Sequence, residues 1–392
     1  MSHDAERPAR DRAPEPPPPI TRSGVSMGRV LGFPVRLSPS WFIMALLIVV
    51  SWGPVRAQQF GAVGYALAVG LALSLLLSVL LHELGHALVA RRLGVGVRGI
   101  TLDLLGGYTE MEHEARKPST ELAFSLAGPA VSFGLGVIFG GLTWAMWDQR
   151  GDSPLFHLVA QTAFSNLVVA VYNALPGLPL DGGRALRAAV WAIGGDKTTG
   201  TIVAGWSGRV VAGLTIGAAF TLYATGWYSA FGLIIAALIA FTLWQGASAS
   251  INQAKVMSRF PLIDPVRLAR PLFVVPTGTS LAEAIRRAQE QGRPAASLGV
   301  ADSSGRLVAL VKREAAAAVP DQRRPWVAVE TLARDIDSVG VIPAGLRGED
   351  VIKAVQQHPA DEFLVTTGED VVGVLHVADL VQVLDPRARR SP

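Results

Sequence analysis

The sequence contains no cysteine in 392 residues. That excludes disulfide scaffolds, thiolate zinc sites, iron–sulfur clusters and cysteine nucleophiles together, so any metal must be held by His, Asp or Glu. Charge is also scarce. Asp, Glu, Lys and Arg make up 17% of the chain, against roughly 25% in soluble domains. Aromatics stand at 7%, and the basic residues are scattered rather than interleaved with stacking rings. The net charge of +4 therefore does not mark a nucleic-acid partner. A membrane protein with basic loops on one face carries the same excess.

What the chain has instead is long apolar runs. Residues 1–26 are polar and Pro-rich, with Pro16 to Pro19 consecutive, and read as a disordered N-terminus without the pattern of a signal peptide. Residues 27–250 carry six candidate spans, Pro39–Trp52, Gly61–Leu93, Leu122–Trp147, Phe156–Leu175, Val210–Trp227 and Tyr228–Trp244, of which the first is shorter than the roughly 20 residues a bilayer needs and the last two are separated by little more than a turn. Arg29, Arg36, Arg91, Arg92, Arg98, Arg116, Lys117, Arg184, Arg187, Lys197, Arg209, Lys255 and Arg259 all fall on one side, whereas the other side has only Arg56 and Arg150. That asymmetry places both termini in the cytoplasm of a multi-pass cell-membrane protein. From residue 251 to 392 charge returns at ordinary density, which reads as a cytoplasmic α/β tail.

The sharpest chemical signal is His82-Glu83-Leu84-Gly85-His86. Residues four apart share a helix face, so both imidazoles can reach one ion. Glu83 is poorly placed to ligate but close enough to act on a water there, which is the HExxH zinc pattern. No charged residue separates Arg56 from His82. At 1.5 Å per residue, His82 lies about 30 Å along the second run from Gly61, near its cytoplasmic end. Ionisable groups at that depth are costly and mark function, although two core histidines bonded to neighbouring helices remain the plain alternative.

Two histidines leave zinc short of a ligand. His113 sits among Glu110, Glu112 and Glu114 in what reads as a solvated charge cluster. Asp181 is the better candidate. Pro176 and Pro179 break the helix just before it, and broken backbone at membrane depth is tolerated where it lines a cavity. A plain turn into a loop is the alternative.

HELGH in one span, with Asn173-Ala174-Leu175-Pro176-Gly177-Leu178-Pro179-Leu180-Asp181-Gly182-Gly183 after a later one, resembles the site-2 protease family of intramembrane zinc metalloproteases, peptidase family M50. Gly28-Arg29-Val30-Leu31-Gly32-Phe33-Pro34, Gly106-Gly107 and Ala127-Gly128-Pro129 agree with it. The resemblance implies one Zn2+ per chain on His82, His86 and Asp181, Glu83 as general base, and Asn166 and Asn173 as catalytic residues that polarise or orient substrate. The implied substrates are transmembrane proteins cut near the cytoplasmic face, an anti-sigma factor for example. The stretch Leu102–Glu112, with Gly106 and Gly107, reads as a hairpin whose edge receives an unwound substrate; an ordinary loop is the alternative.

The tail repeats itself: Glu283-Ala284-Ile285-Arg286-Arg287-Ala288-Gln289 matches Asp350-Val351-Ile352-Lys353-Ala354-Val355-Gln356. Two βαββα copies, about 265–318 and 326–384, resemble a tandem of CBS domains. Such pairs imply an adenine nucleotide, with Asp379 on its ribose, or homodimerisation. The expected fold is thus a polytopic α-helical membrane protein with a CBS-like tail. Its competitors are a metal-dependent receptor or chaperone without protease activity, which needs no Glu83, and a CBS-gated transporter, for which no inverted repeat is visible.

Overall fold

The structure, a computed structural model, describes residues 24–104, 106–151, 153–358, 360–368 and 370–384. The Pro-rich stretch 1–23 lies outside the described residues. Two compact units divide between Ser248 and Ala249.

The first unit runs β1 (Val25–Val30), β2 (Phe33–Leu37), α1 (Ser40–Phe60), α2 (Val63–Arg92), β3 (Val97–Asp103), β4 (Gly106–Met111), α3 (Pro118–Ala145), α4 (Pro154–Ala174), α5 (Asp181–Gly194), α6 (Lys197–Ala224) and most of α7 (Ala230–Met257), within which the division falls. Six helices, all but α5, are long and apolar enough to cross a membrane. Their outer faces carry Phe133, Ile138, Phe164, Val171, Leu214, Phe220 and Phe241, each more than half exposed, while His82, Glu83, His86, Ser132 and Asn166 are buried. Apolar outside and polar inside is the packing of a protein whose solvent is lipid.

Helix ends depart from the expected runs. Helix α6 begins at Lys197 rather than Val210, and α7 continues past Trp244 to Met257. Asp196 caps α6 by accepting from the N–H groups of Thr198 and Thr199 at 3.0 and 2.8 Å. Arg209 does not interrupt α6, because its guanidinium lies over the rings of Trp206 and Trp244 and donates to the Ser248 hydroxyl. Hydropathy reports the bilayer; caps and side-chain partners decide where a helix stops.

The strands form one sheet in the order β1-β2-β3-β4, with β2 and β3 parallel and the other pairs antiparallel. Val25 and Ser26 belong to β1, so the stretch read as disordered up to residue 26 is ordered at its end. Phe33, Val35 and Leu37 of β2 pack with Leu84 and Ala87 of α2 and with Ile100 and Leu102 of β3. This seats the sheet beside the HELGH turn and leaves β4 as an edge strand.

The second unit holds α8 (Pro265–Leu268), β5 (Leu272–Pro276), α9 (Leu281–Glu290), β6 (Ser297–Ala301), β7 (Leu307–Val311), α10 (Arg313–Ala318), β8 (Ala333–Asp335), β9 (Gly340–Pro343), α11 (Glu349–Gln357), β10 (Glu362–Thr367), β11 (Asp370–His376) and α12 (Val377–Leu384). The βαββα order occurs twice. In each copy the first strand pairs parallel with the second, and the second antiparallel with the third. Amphipathic α9 and α11 bury Leu281, Ala284 and Ala288 in one copy and Val351 in the other.

Candidate metal centre

Helix α2 places His82 and His86 one turn apart, and α5 opens on Asp181. Their ligand atoms converge. His82 Nε2 lies 3.1 Å from Asp181 Oδ2, His86 Nε2 lies 3.2 Å from the same oxygen, and the two Nε2 atoms are 3.2 Å apart. Ligand atoms about 2.0–2.1 Å from a tetrahedral ion are separated by about 3.3 Å, so this triangle fits one ion.

The neighbours fix which lone pairs face the centre. His86 Nδ1 stands 2.6 Å from the carbonyl oxygen of Phe124. A carbonyl only accepts, so Nδ1 carries the proton and Nε2 is left as a donor to metal. His82 Nδ1 is 2.8 Å from the Ser132 hydroxyl, which serves the same purpose. Between these two partners on α3 lies Gly128, and a Cβ there would collide with the Nε2 atoms of both histidines. Phe124, Gly128 and Ser132 recur every four residues, a stripe of α3 laid against the histidine pair. The sequence reading missed their role, although the spacing was there to be seen.

Asp181 is held by a braced break. Pro176 and Pro179 keep 175–180 out of helix. Leu178 N–H donates to the Ala204 carbonyl of α6 at 2.9 Å, and the Ser207 hydroxyl donates to the Pro176 carbonyl. A Cβ on Gly182 or Gly183 would meet the main chain of 174–175 or 177–178, which explains the paired glycines. The carboxylate sits in the first turn of α5, where the helix dipole favours an anion.

Glu83 is not one of the three converging groups, and its Oε2 accepts a 2.7 Å hydrogen bond from the Thr109 hydroxyl of β4. Gly107 approaches the same side chain so closely that a Cβ would lie 2.8 Å from Glu83 Cγ. Gly106, with φ +144°, opens the strand. Asn166 is buried on α4; its Nδ2 donates to Ser78 Oγ at 3.0 Å and to the Thr162 carbonyl at 2.9 Å, while Oδ1 is buried without a partner. Asn173 is half-buried two turns further along α4. His113 is exposed, and Glu114 beside it pairs with Lys197 at 2.7 Å.

In the second unit both carboxylate oxygens of Asp379 are taken by Arg270, at 2.8 and 2.9 Å. A cavity of about 240 Å³ is lined by Arg270, Arg313, Arg324, Ser297 and His376, not by Asp379.

The sequence profile of peptidase family M50 matches residues 70–147 and 145–217. The zinc metalloprotease Rip3 of Mycobacterium tuberculosis is 31% identical over 378 residues, spanning 93% of each chain. This chain belongs to peptidase family M50. A zinc metalloprotease of Synechocystis is 30% identical over 381 residues, 93% of this M50 chain and 97% of its own. The solved site-2 protease of Methanocaldococcus jannaschii is 26% identical and covers 58% of the M50 chain and 95% of its own, with a TM-score of 0.42. A CBS domain protein of Thermoplasma acidophilum is 17% identical over 31% of the chain, with a TM-score of 0.24. As an M50 peptidase, the chain is a zinc metallopeptidase, and its six apolar helices make it a multi-pass membrane enzyme. Two imidazoles and one carboxylate, braced as above, are a donor set that suits catalytic zinc.

Proposed function

We propose that the protein hydrolyses peptide bonds in or near the transmembrane segments of membrane proteins, with His82, His86 and Asp181 holding one Zn2+ and Glu83 as general base. The observation that carries this reading is the 3.1–3.2 Å triangle of His82, His86 and Asp181 with Glu83 one residue away. Zinc at that point supplies Lewis-acid polarisation of the scissile carbonyl and acidifies a water to a pKa of about 7. Glu83 takes the proton from the attacking water and passes it to the leaving amine. Strand β4 offers its open edge, from Gly106 and Gly107 onward, to an unwound substrate strand. Asn166 orients substrate by accepting a hydrogen bond at Oδ1; its Nδ2, already used twice, is not free to polarise a carbonyl. Asn173 extends that lining two turns along α4.

Glu83→Gln keeps shape but removes the proton acceptor. Zinc stays at one per chain, and cleavage falls by about 10²–10⁴-fold. His86→Ala and Asp181→Ala lose zinc and activity together. Wild-type cleavage by Glu83→Gln overturns Glu83 as the base, and zinc binding without any cleavage by the wild type favours a receptor or chaperone. Substrates are single-span proteins such as anti-sigma factors, cut near a cytoplasmic face that also bears both termini and the tail. They accumulate in the membranes of a Glu83→Gln strain if the assignment is right.

The tail reads as a regulatory CBS pair, and the three arginines around its cavity favour a phosphate-bearing ligand such as an adenine nucleotide. Calorimetry with ATP, ADP and AMP on the full chain tests this. Arg313→Ala weakens the binding, and no binding by the wild type leaves homodimerisation as the role of the pair.

A further inference from the structure

We infer that Thr109 is a positioning residue for Glu83, so that the strand offered to substrate also sets the general base. The inference rests on the reading of Glu83 as base.

Thr109 and Gly107 are two apart on β4 and so share one face of the strand. Both touch Glu83. The Thr109 hydroxyl donates to Oε2 at 2.7 Å and also lies 3.2 Å from the Glu83 main-chain carbonyl, which fastens side chain and backbone to one strand position. Gly107 leaves the space that the Glu83 side chain fills, with Cγ, Cδ and Oε1 all within 3.2 Å of where a Cβ would stand. Among the described residues no group hydrogen-bonds Oε1. The carboxylate is therefore anchored by one oxygen and presents the other.

The anchor comes from the edge strand alone. Among the described residues β4 pairs with β3 alone, through Ile100 opposite Thr109 and Leu102 opposite Gly107. A strand with one free edge is held less firmly than one paired on both sides, and a substrate strand added there supplies the missing ladder. Substrate docking therefore steadies β4, and through Thr109 it steadies the base. The effect lies on turnover: the hydroxyl meets Glu83 and not the substrate.

The test uses the full chain in detergent with a fluorescently tagged single-span protein that the wild type cleaves. Thr109→Val keeps the shape of the side chain and removes the donor. Its kcat falls about 10–100-fold, the size expected when a catalytic group loses its alignment. KM, zinc content and thermal midpoint stay at wild-type values. Thr109→Ser restores the donor and recovers most of kcat. In the Glu83→Gln background Thr109→Val adds no further loss, and affinity for the tagged substrate is unchanged. Wild-type kcat in Thr109→Val, with Glu83→Gln inactive, overturns the inference and leaves the base intact. Wild-type kcat in Glu83→Gln overturns the base itself. A Thr109→Ser variant as slow as Thr109→Val, or a fall in zinc or thermal midpoint in both, assigns Thr109 to packing instead.

Discussion

Gly128 on α3 faces His86 on α2 with no room for a methyl group between them. The absent side chain is what lets two imidazoles and a carboxylate close on one point inside an otherwise tightly packed pair of helices.

Gly128→Ala separates metal binding from folding. Alanine is the better helix former by about 0.8–1 kcal/mol, so α3 itself gains. The added methyl occupies the space of both Nε2 atoms. Metal analysis shows zinc lost, while the thermal midpoint of the metal-free protein does not fall.

Ser132→Ala removes the partner of His82 Nδ1 and leaves that ring free to turn. Loss of such an outer hydrogen bond costs about 10–100-fold in metal affinity. Competition with a zinc chelator measures it, and an unchanged affinity would show that helix packing alone orients His82.

Glu121 is buried at 1% exposure and pairs with Arg187 of α5. Glu121→Ala strands the guanidinium in a half-buried cleft, and breaking such a pair from one side costs about 3–5 kcal/mol. Glu114→Ala removes the exposed partner of Lys197 and costs under about 1 kcal/mol. Thermal midpoints in one detergent should separate the two variants clearly.

The tail has an acid-sensitive joint at Glu362. Burial pushes this carboxyl up, but the hydrogen bond from His376 and the nearby charges of His376 and Arg334 outweigh burial and hold it below its ordinary value of 4.5. A lowered folded pKa means that stability is fully present above about pH 4.5 and drains away as pH falls through the folded value. The protection of amides in β10 and β11 of the full chain, measured relative to their intrinsic exchange rates, therefore falls in acid. Glu362→Gln flattens that response, and a parallel response in both proteins would rule out Glu362 as its source.

The centre was legible because its chemistry is written locally. His82 and His86 are four apart, and Asp181 follows two prolines, so a helix period and a backbone break bring both segments into view without coordinates. Six spans were legible because lipid demands long apolar runs, and the tail because its two helices repeat. Strands β1 and β2 went unread although Phe33, Val35 and Leu37 alternate, since five residues between a glycine turn and a membrane helix are a weak signal. Thr109 carried no signal at all. Its contact with Glu83 spans 26 positions and depends on the register between β3 and β4, which only the folded sheet sets.

The ligand set is unevenly anchored. Two donors ride on one uninterrupted helix, and the third hangs from a segment braced by α6 through Leu178 and packed against Gly246 of α7 through Pro179. Chelation consequently has a preferred order, in which the carboxylate arm swings out first and the histidine pair persists with a weakened hold. Leakage of zinc then reports slackening of α6 or α7, and it sets in before any helix content is lost. A detergent screen scored by released zinc would rank conditions by how well they preserve that brace, at concentrations where circular dichroism still sees an intact protein.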